Sequence, residues 1–365
     1  MKLKIIFVVI TVALITPIFS FCSYAEDINY KAVYDAANEA TQELLEQAGV
    51  ENADYEELLS LSPKRIADVF ISIFKGSLKT PFQTSGLIIS VLIIFSVLNN
   101  FSQSTFQSEE YYSFFENSLV LTTVLYPLSQ LLATAASVIK TVCDFMLAFI
   151  PVYTGVISAS GQPISSFLYS SALLSFAEVC GFTLADCLVP VISVIACLNI
   201  FASLSSQLAL ESLIETAKRI VTVTISIVGS LFVGFVNLKT ELAYSADSLA
   251  LKGVKMLSGS VIPVIGNTIG EALNSLIGSL SLVKSTLGVY AIIAIVLTCT
   301  PTLLELLLWY FSLYICSAVS DALNLKSVSK ALKVITGLIS IISVILIFIM
   351  LVFILTTGNM ISLRG

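Results

Sequence analysis

The chain contains no histidine. General acid–base catalysis by imidazole, histidine ligation of a metal and a histidine pH switch are therefore closed to it, and most hydrolase chemistries go with them. Charge is scarce as well: 12% of the 365 residues are Asp, Glu, Lys or Arg, against about 25% in soluble domains. Apolar residues make up 57%, and the mean hydropathy is +0.98. A chain with so much apolar surface and so little charge reads as an integral membrane protein.

Other absences narrow the chemistry. The stretch "GSLSLVKST" from Gly278 comes nearest to a phosphate-binding loop, but Val283 stands where G-x-x-x-x-G-K-[ST] needs its second glycine, which rejects nucleotide binding. No zinc-ligand spacing, nucleophile elbow or Gly-rich dinucleotide turn occurs, and no basic cluster points to nucleic acid. No catalytic, metal or cofactor-binding residue is therefore assigned, and the chain reads as a non-enzyme. Of the seven cysteines, Cys22 falls in the leader, and Cys143, Cys180, Cys187, Cys197, Cys299 and Cys316 lie in or beside apolar stretches. None is in the polar N-terminal region, so no disulfide framework is implied and they read as small buried apolar residues.

What is present is ordered along the chain. Residues 1–25 carry Lys2 and Lys4, the apolar run "IIFVVITVAL" and "SYA" ending at Ala25, the layout of a cleavable secretory signal; an uncleaved first anchor is the alternative. Bulky Phe21 before Cys22 argues against a lipoprotein. Residues 26–60 hold ten acidic residues and one lysine, which makes them an acidic exported segment. Val33, Ala36, Ala37, Ala40, Leu44 and Ala48 recur there at helical spacing, and Gly49 is placed to end the helix. In residues 61–80, Ser62 caps a helix that starts at Pro63. Ile66, Val69, Phe70, Ile73 and Phe74 fall on one face, with Lys64, Arg65, Asp68 and Lys75 elsewhere, as in a helix lying in the membrane surface.

Residues 81–365 form a multi-span domain. A span needs about 20 residues, and candidates fall at 82–101, 118–139, 143–160, 165–182, 187–206, 220–238, 286–320 and 334–357. The stretch 286–320 is too long for one straight span. Its "TCTPTLLE" pairs Thr302 with Glu305 as in a capping box, which predicts a break at Pro301 and two short helices. "TLAD" from Thr183 to Asp186 gives the same start signal. Carboxylates inside apolar sequence are costly and mark ion or substrate paths. Among Asp144, Glu178, Asp186, Glu271 and Glu305, the caps explain Asp186 and Glu305, which leaves Glu178 and Glu271 as the candidates for a polar path.

The chain also repeats itself. Ile150-Pro151-Val152 returns as Ile262-Pro263-Val264, and Cys187 returns as Cys299, both 112 residues on. "AKRIVTVTISI" from Ala217 aligns with "ALKVITGLISI" from Ala331 at an offset of 114. This suggests an internal duplication, about 143–238 and 257–357, in which Pro151 and Pro263 interrupt equivalent helices. Interrupted helices are tolerated in lipid only against protein or water, and duplicated bundles use them to build midplane sites. Thr222, Ser226, Ser230 and Gly234, spaced four apart, form a small-residue ridge suited to helix packing. Basic residues gather at 64–79, 218–219, 239–255 and 326–333, which the positive-inside rule would place in the cytoplasm. The first cluster opposes an exported N-terminus unless its helix is interfacial.

The order of these features, from the signal and acidic segment through "SPKRIADVFISIFKG" and "MLAFIPVYTGVISASG" to "GSVIPVIGNTIGEAL", resembles the stage III sporulation protein AE family of endospore-forming bacteria over nearly the whole chain. The resemblance implies a multi-pass protein of the mother-cell membrane around the forespore. It implies a place in a channel or feeding apparatus likened to specialised secretion systems. The implied partners are the other stage III sporulation A-group membrane proteins and, from the forespore side, stage II sporulation protein Q, besides membrane lipid. It brings no catalytic residues. The expected fold is an all-α polytopic transmembrane helix bundle with interrupted helices, an internal duplication and a small exported amphipathic helix at the N-terminus. The leading functional expectation is a channel or export component. A stand-alone secondary transporter coupled through Glu178 and Glu271, and a scaffold without passage, are the alternatives.

Overall fold

The structure is a computed structural model that describes residues 37, 39–50, 63–102, 109–159, 163–204, 212–232 and 266–362. The proposed signal, Pro263 and Gly234 lie outside the described residues. Those described are helical apart from short turns, with no strands among them.

α1 (Glu39–Ala48) ends where the sequence places its stop. Gly49 adopts φ 94°, its N–H donates to the Glu46 carbonyl (2.9 Å), and the Val50 N–H donates to the Leu45 carbonyl (2.8 Å). These are the paired bonds of a Schellman cap. The buried face is Ala37, Thr41, Leu45 and Ala48 rather than the expected stripe through Ala40 and Leu44. The rotation brings the Thr41 hydroxyl to the Thr298 hydroxyl at 2.8 Å, which docks this acidic segment on the bundle.

The expected interfacial helix and first span are one element, α2 (Pro63–Ser102, 40 residues). Pro81 removes one backbone donor without ending the helix, because the residues around it are held by packing. The Pro81 carbonyl accepts from the Ser85 hydroxyl (2.7 Å) and from Ser312 (2.8 Å). Expected spans merge elsewhere in the same way. α3 (Glu109–Ala159, 51 residues) runs unbroken through Pro127 and Pro151. α4 (Pro163–Cys180) passes through an eight-residue π-helix (Gly181–Leu188) into α5 (Val189–Leu204). α6 covers 212–232. α7 (Gly266–Ala322, 57 residues) continues through Pro301, and α8 is Lys326–Ser362.

Pro151 and Pro301 are therefore not breaks. A proline in a helix interior costs one i→i−4 bond and a clash, about 3 kcal/mol, which buried neighbours can offset. Threonine hydroxyls beside both prolines donate to carbonyls of the preceding turn: Thr154 to Ile150, Thr298 to Ala294 and Thr300 to Val296, each at 2.7 Å. The two capping readings fail for the same reason. Thr302–Glu305 sits mid-helix, where the backbone N–H groups already have partners, and Thr183–Asp186 lies in the π-helix, where the Val189 N–H reaches the Leu184 carbonyl.

Among the described residues, five stretches are long and apolar enough to cross a membrane: Ala67–Leu98, Phe114–Ser158, Ser166–Asn199, Ser281–Ala322 and Lys326–Ile361. At 1.5 Å per residue, α2, α3 and α7 are about 60, 77 and 86 Å long, two to three times the ~30 Å of hydrocarbon. The bundle thus extends well past a bilayer or crosses it with large tilt.

Side-chain pairings set direction and register. Pro81 and Ser85 of α2 meet Ser312 and Cys316 of α7, so these two helices are parallel. The Asn117 amide donates to Ser327 (2.9 Å), while Tyr153 and Ile361 both flank Gly288, so α3 parallels α8. Lys218 approaches Gly337 and Gly229 meets Phe348, so α6 also parallels α8. Phe176 packs on Phe353 and the Asn199 amide donates to the Ala331 carbonyl (3.1 Å), so α4–α5 runs opposite to α8. The six long elements therefore alternate in direction along the chain. α4–α6 and α7–α8 share the same down-then-up order, and α6 and α8 begin 114 residues apart.

α7 is the centre. From Val283 to Thr300 nearly every residue is buried, as expected of a helix apolar on all sides. α8 packs beside it through Leu332, Ile335, Ile339, Ile342, Leu346, Ile349 and Phe353, all with 1% exposure or less, at the three-four spacing of left-handed helix packing. The tight turn between them needs a left-handed residue, which Asn324 supplies at φ 62°.

Candidate functional site

The middle of the bundle is closed by large apolar side chains. Tyr153, Tyr290, Phe149 and Phe353 are fully buried there, and no group of three Cys, Asp or Glu able to hold a metal occurs among the described residues. Among the described residues, polar chemistry lies in helix seams, at the ends of the bundle and on its outer faces.

The outer face is built by the α3–α4 hairpin and the π-helix. The Lys140 ammonium lies 2.6 Å from the Asp186 carboxylate, both about half exposed. One turn on, Asp144 is exposed; Glu178 is exposed on α4 two turns before Asp186. The local sequence explains the outward aim. Ala177 and Cys180 point inward and are fully buried, so Glu178 and Val179 between them must face away. Beneath this face Gly181 lies beside Cys143 of α3, where an added Cβ would sit in ordinary contact 3.6 Å from the Cys143 Cβ. Three carboxylates and one lysine thus share a surface whose other members are Phe167 (70% exposed), Val179 and Phe182 (64%).

Glu178 therefore does not line a path inside the single chain. Glu271 falls on α7, and its side chain lies outside the described residues. Glu305 is half-buried on α7, one turn before Trp309.

The small-residue ridge faces outward as well. Thr222, Ser226 and Ser230 are exposed, and the first two donate to carbonyls one turn back. α6 packs instead through Ile214, Val221, Ile225 and Phe232, with Gly229 against the Phe348 ring. Four-residue spacing identified a coherent face, but apolar burial chose the opposite one.

Sequence reading missed several internal polar groups. Lys284, Tyr153 and Thr357 are all buried near Gly288, where α3, α7 and α8 meet, and the Tyr153 and Thr357 hydroxyls have no hydrogen-bond partner among the described residues. At the other end of the bundle, Glu116 is 5% exposed with one carboxylate oxygen unpartnered. The signal for Lys284 was present, a lone cation in an apolar run, but only the phosphate-loop question was put to that stretch. The buried seam of α2 on α7, where the Ser85 and Ser312 hydroxyls meet at 2.7 Å, has no signature beyond two ordinary serines.

Residues 51–363 match the family described as stage III sporulation protein AE. A protein of Bacillus subtilis (strain 168) with that description is 24% identical over 282 residues, covering 74% of this chain and 70% of that protein. No solved structure matches the chain.

Proposed function

The chain belongs to the stage III sporulation protein AE family and so has a role in sporulation, and from that premise we propose that it is a membrane-embedded, non-enzymatic component of a channel or export complex linking mother cell and forespore. The observation that carries the reading is the family match across the multi-span region, 51–363, joined to five helices able to cross a membrane. In this reading the chain sits in the mother-cell membrane around the forespore. Its partners are the other stage III sporulation A-group membrane proteins, with stage II sporulation protein Q meeting the complex from the forespore side. A signal in residues 1–25 delivers the acidic segment across the membrane.

The closed apolar centre favours a component over a stand-alone transporter. Alternating access needs a polar site between moving halves, whereas Glu178 faces out and Tyr153, Tyr290 and Phe353 fill the interior. Any energy for transport then comes from a separate ATPase. The test is a deletion strain complemented with tagged chain. Complementation should restore spores, the tag should follow the membrane around the forespore, and isolation in mild detergent should recover A-group proteins. Solute uptake by vesicles holding only this chain would instead establish the transporter reading. Normal spores from the deletion strain would overturn both.

A further inference from the structure

We propose that copies of this chain associate side by side in the membrane, the basic outer face of α2 in one copy meeting the acidic outer face of the α3–α4 hairpin in the next. The contact does not depend on what the complex transports.

The acidic face is Asp144, Glu178 and Asp186 with Lys140, of which only Asp186 and Lys140 form an ion pair. Glu178 stands among exposed Phe167, Val179 and Phe182. A lone carboxylate among lipid-facing apolar groups is costly, and such groups pair with protein. The basic face is Lys75 and Lys79 of α2, both exposed and outside every ion pair among the described residues, beside exposed Ile71, Phe74 and Phe82. Lys64 and Arg65 are exposed a few turns earlier, with Asp68 between.

Copies inserted in one membrane share orientation and depth, so these two faces can meet only if their charges lie at adjoining heights. The register of the bundle shows that they do. With Gly288 as zero, Tyr153 fixes α3 and Ser312–Ser85 fixes α2. At 1.5 Å per residue, with Asp186 level with its partner Lys140, Glu178, Asp144 and Asp186 then stand at about 8, 14 and 20 Å. Lys75 and Lys79 stand at about 21 and 27 Å, and Lys64 and Arg65 at about 5 Å, so the cations of α2 bracket the acidic band. The two faces belong to different elements, which makes the contact heterologous. Repeated around an axis along the membrane normal, such a contact closes into a ring or continues as an open row.

The test uses full-length chain in sporulating cells, with Cys187→Ser and Cys197→Ser to remove the exposed native thiols. Two differently tagged copies are co-expressed, one carrying Phe74→Cys and the other Phe182→Cys, exposed positions beside the two sets of charges that leave the charges themselves in place. A cross-linked heterodimer is expected, with little product when both copies carry the same cysteine. Equal cross-linking of like pairs means a symmetric contact, and none means that lipid or a different subunit covers the face; either overturns the proposal. Charge reversal supplies the second arm. Lys75→Glu with Lys79→Glu should lower heterodimer yield about tenfold, and Asp144→Lys with Glu178→Lys in the facing copy should restore it, since like charges juxtaposed are repulsive and opposite charges fix register. If reversal on either side leaves yield unchanged, the charges serve lipid headgroups only and the proposal falls.

Discussion

Single residues decide more here than composition does. Gly229 faces the Phe348 ring, where an added Cβ would come within 2.9 Å. Gly229→Val should lever α6 away from α8 and cost about 1–3 kcal/mol, as overpacking does; a lower melting temperature in detergent and faster proteolysis after α6 would report it. Tyr153 offers a sharper contrast. Its hydroxyl is buried without a partner, so Tyr153→Phe should be neutral or stabilising because it removes an unsatisfied group. Tyr153→Ala should cost about 3–5 kcal/mol through the cavity it leaves. Equal losses from both in thermal unfolding would mean that the hydroxyl has a role the packing does not show. Among the thiols, Cys187 and Cys197 are exposed while Cys143, Cys180, Cys299 and Cys316 are buried. A maleimide added to the folded, solubilised chain should modify the first two and reach the other four only after denaturation. Gly49 was legible as a helix stop because only a residue at ease with positive φ ends a helix that way. The outward aim of Glu178 was not, since it depends on which neighbours find a partner to pack against.

At the scale of elements, local rules found the helix start at Pro63 and the stop at Gly49 but placed further starts and breaks where the helices run on. Proline and capping signals are preferences of about 1–3 kcal/mol, and they lose when the flanking turns are both buried. Pro301 is the clearest instance. Leu306, Trp309 and Cys299 around it are buried, so the helix carries on. Pro301→Ala should accordingly leave α7 intact and keep or raise the melting temperature, because the Leu297 carbonyl regains a backbone partner; a fall of several degrees would show that the proline shapes the bundle. The π-helix at Gly181–Leu188 makes the same point in reverse. No sequence rule announced it, and it carries Asp186 to Lys140. The turn at Asn324 was also unmarked, because Asn in a left-handed conformation looks like any polar loop residue.

For the whole molecule, alternating direction of the six long elements places the α3 end and the α7–α8 turn at opposite ends of the bundle. Ser158→Cys and Asn324→Cys, both exposed positions, should therefore react with an impermeant thiol reagent from opposite sides of the membrane. Labelling of both from one side would mean that one of the connecting helices folds back without crossing. Taken alone, the sequence determined that this is an all-helical membrane protein of the stage III sporulation protein AE family, because apolar content, absence of histidine and the order of segments are properties of the chain that no folding can alter. Only tertiary structure decided which helices merge, which faces turn inward and that Asp144, Glu178 and Asp186 stand outside. Those outcomes depend on contacts between segments far apart in the chain, such as Thr41 with Thr298 (257 residues) and Ser85 with Ser312 (227 residues), whose partners a local pattern of hydrophobicity does not specify.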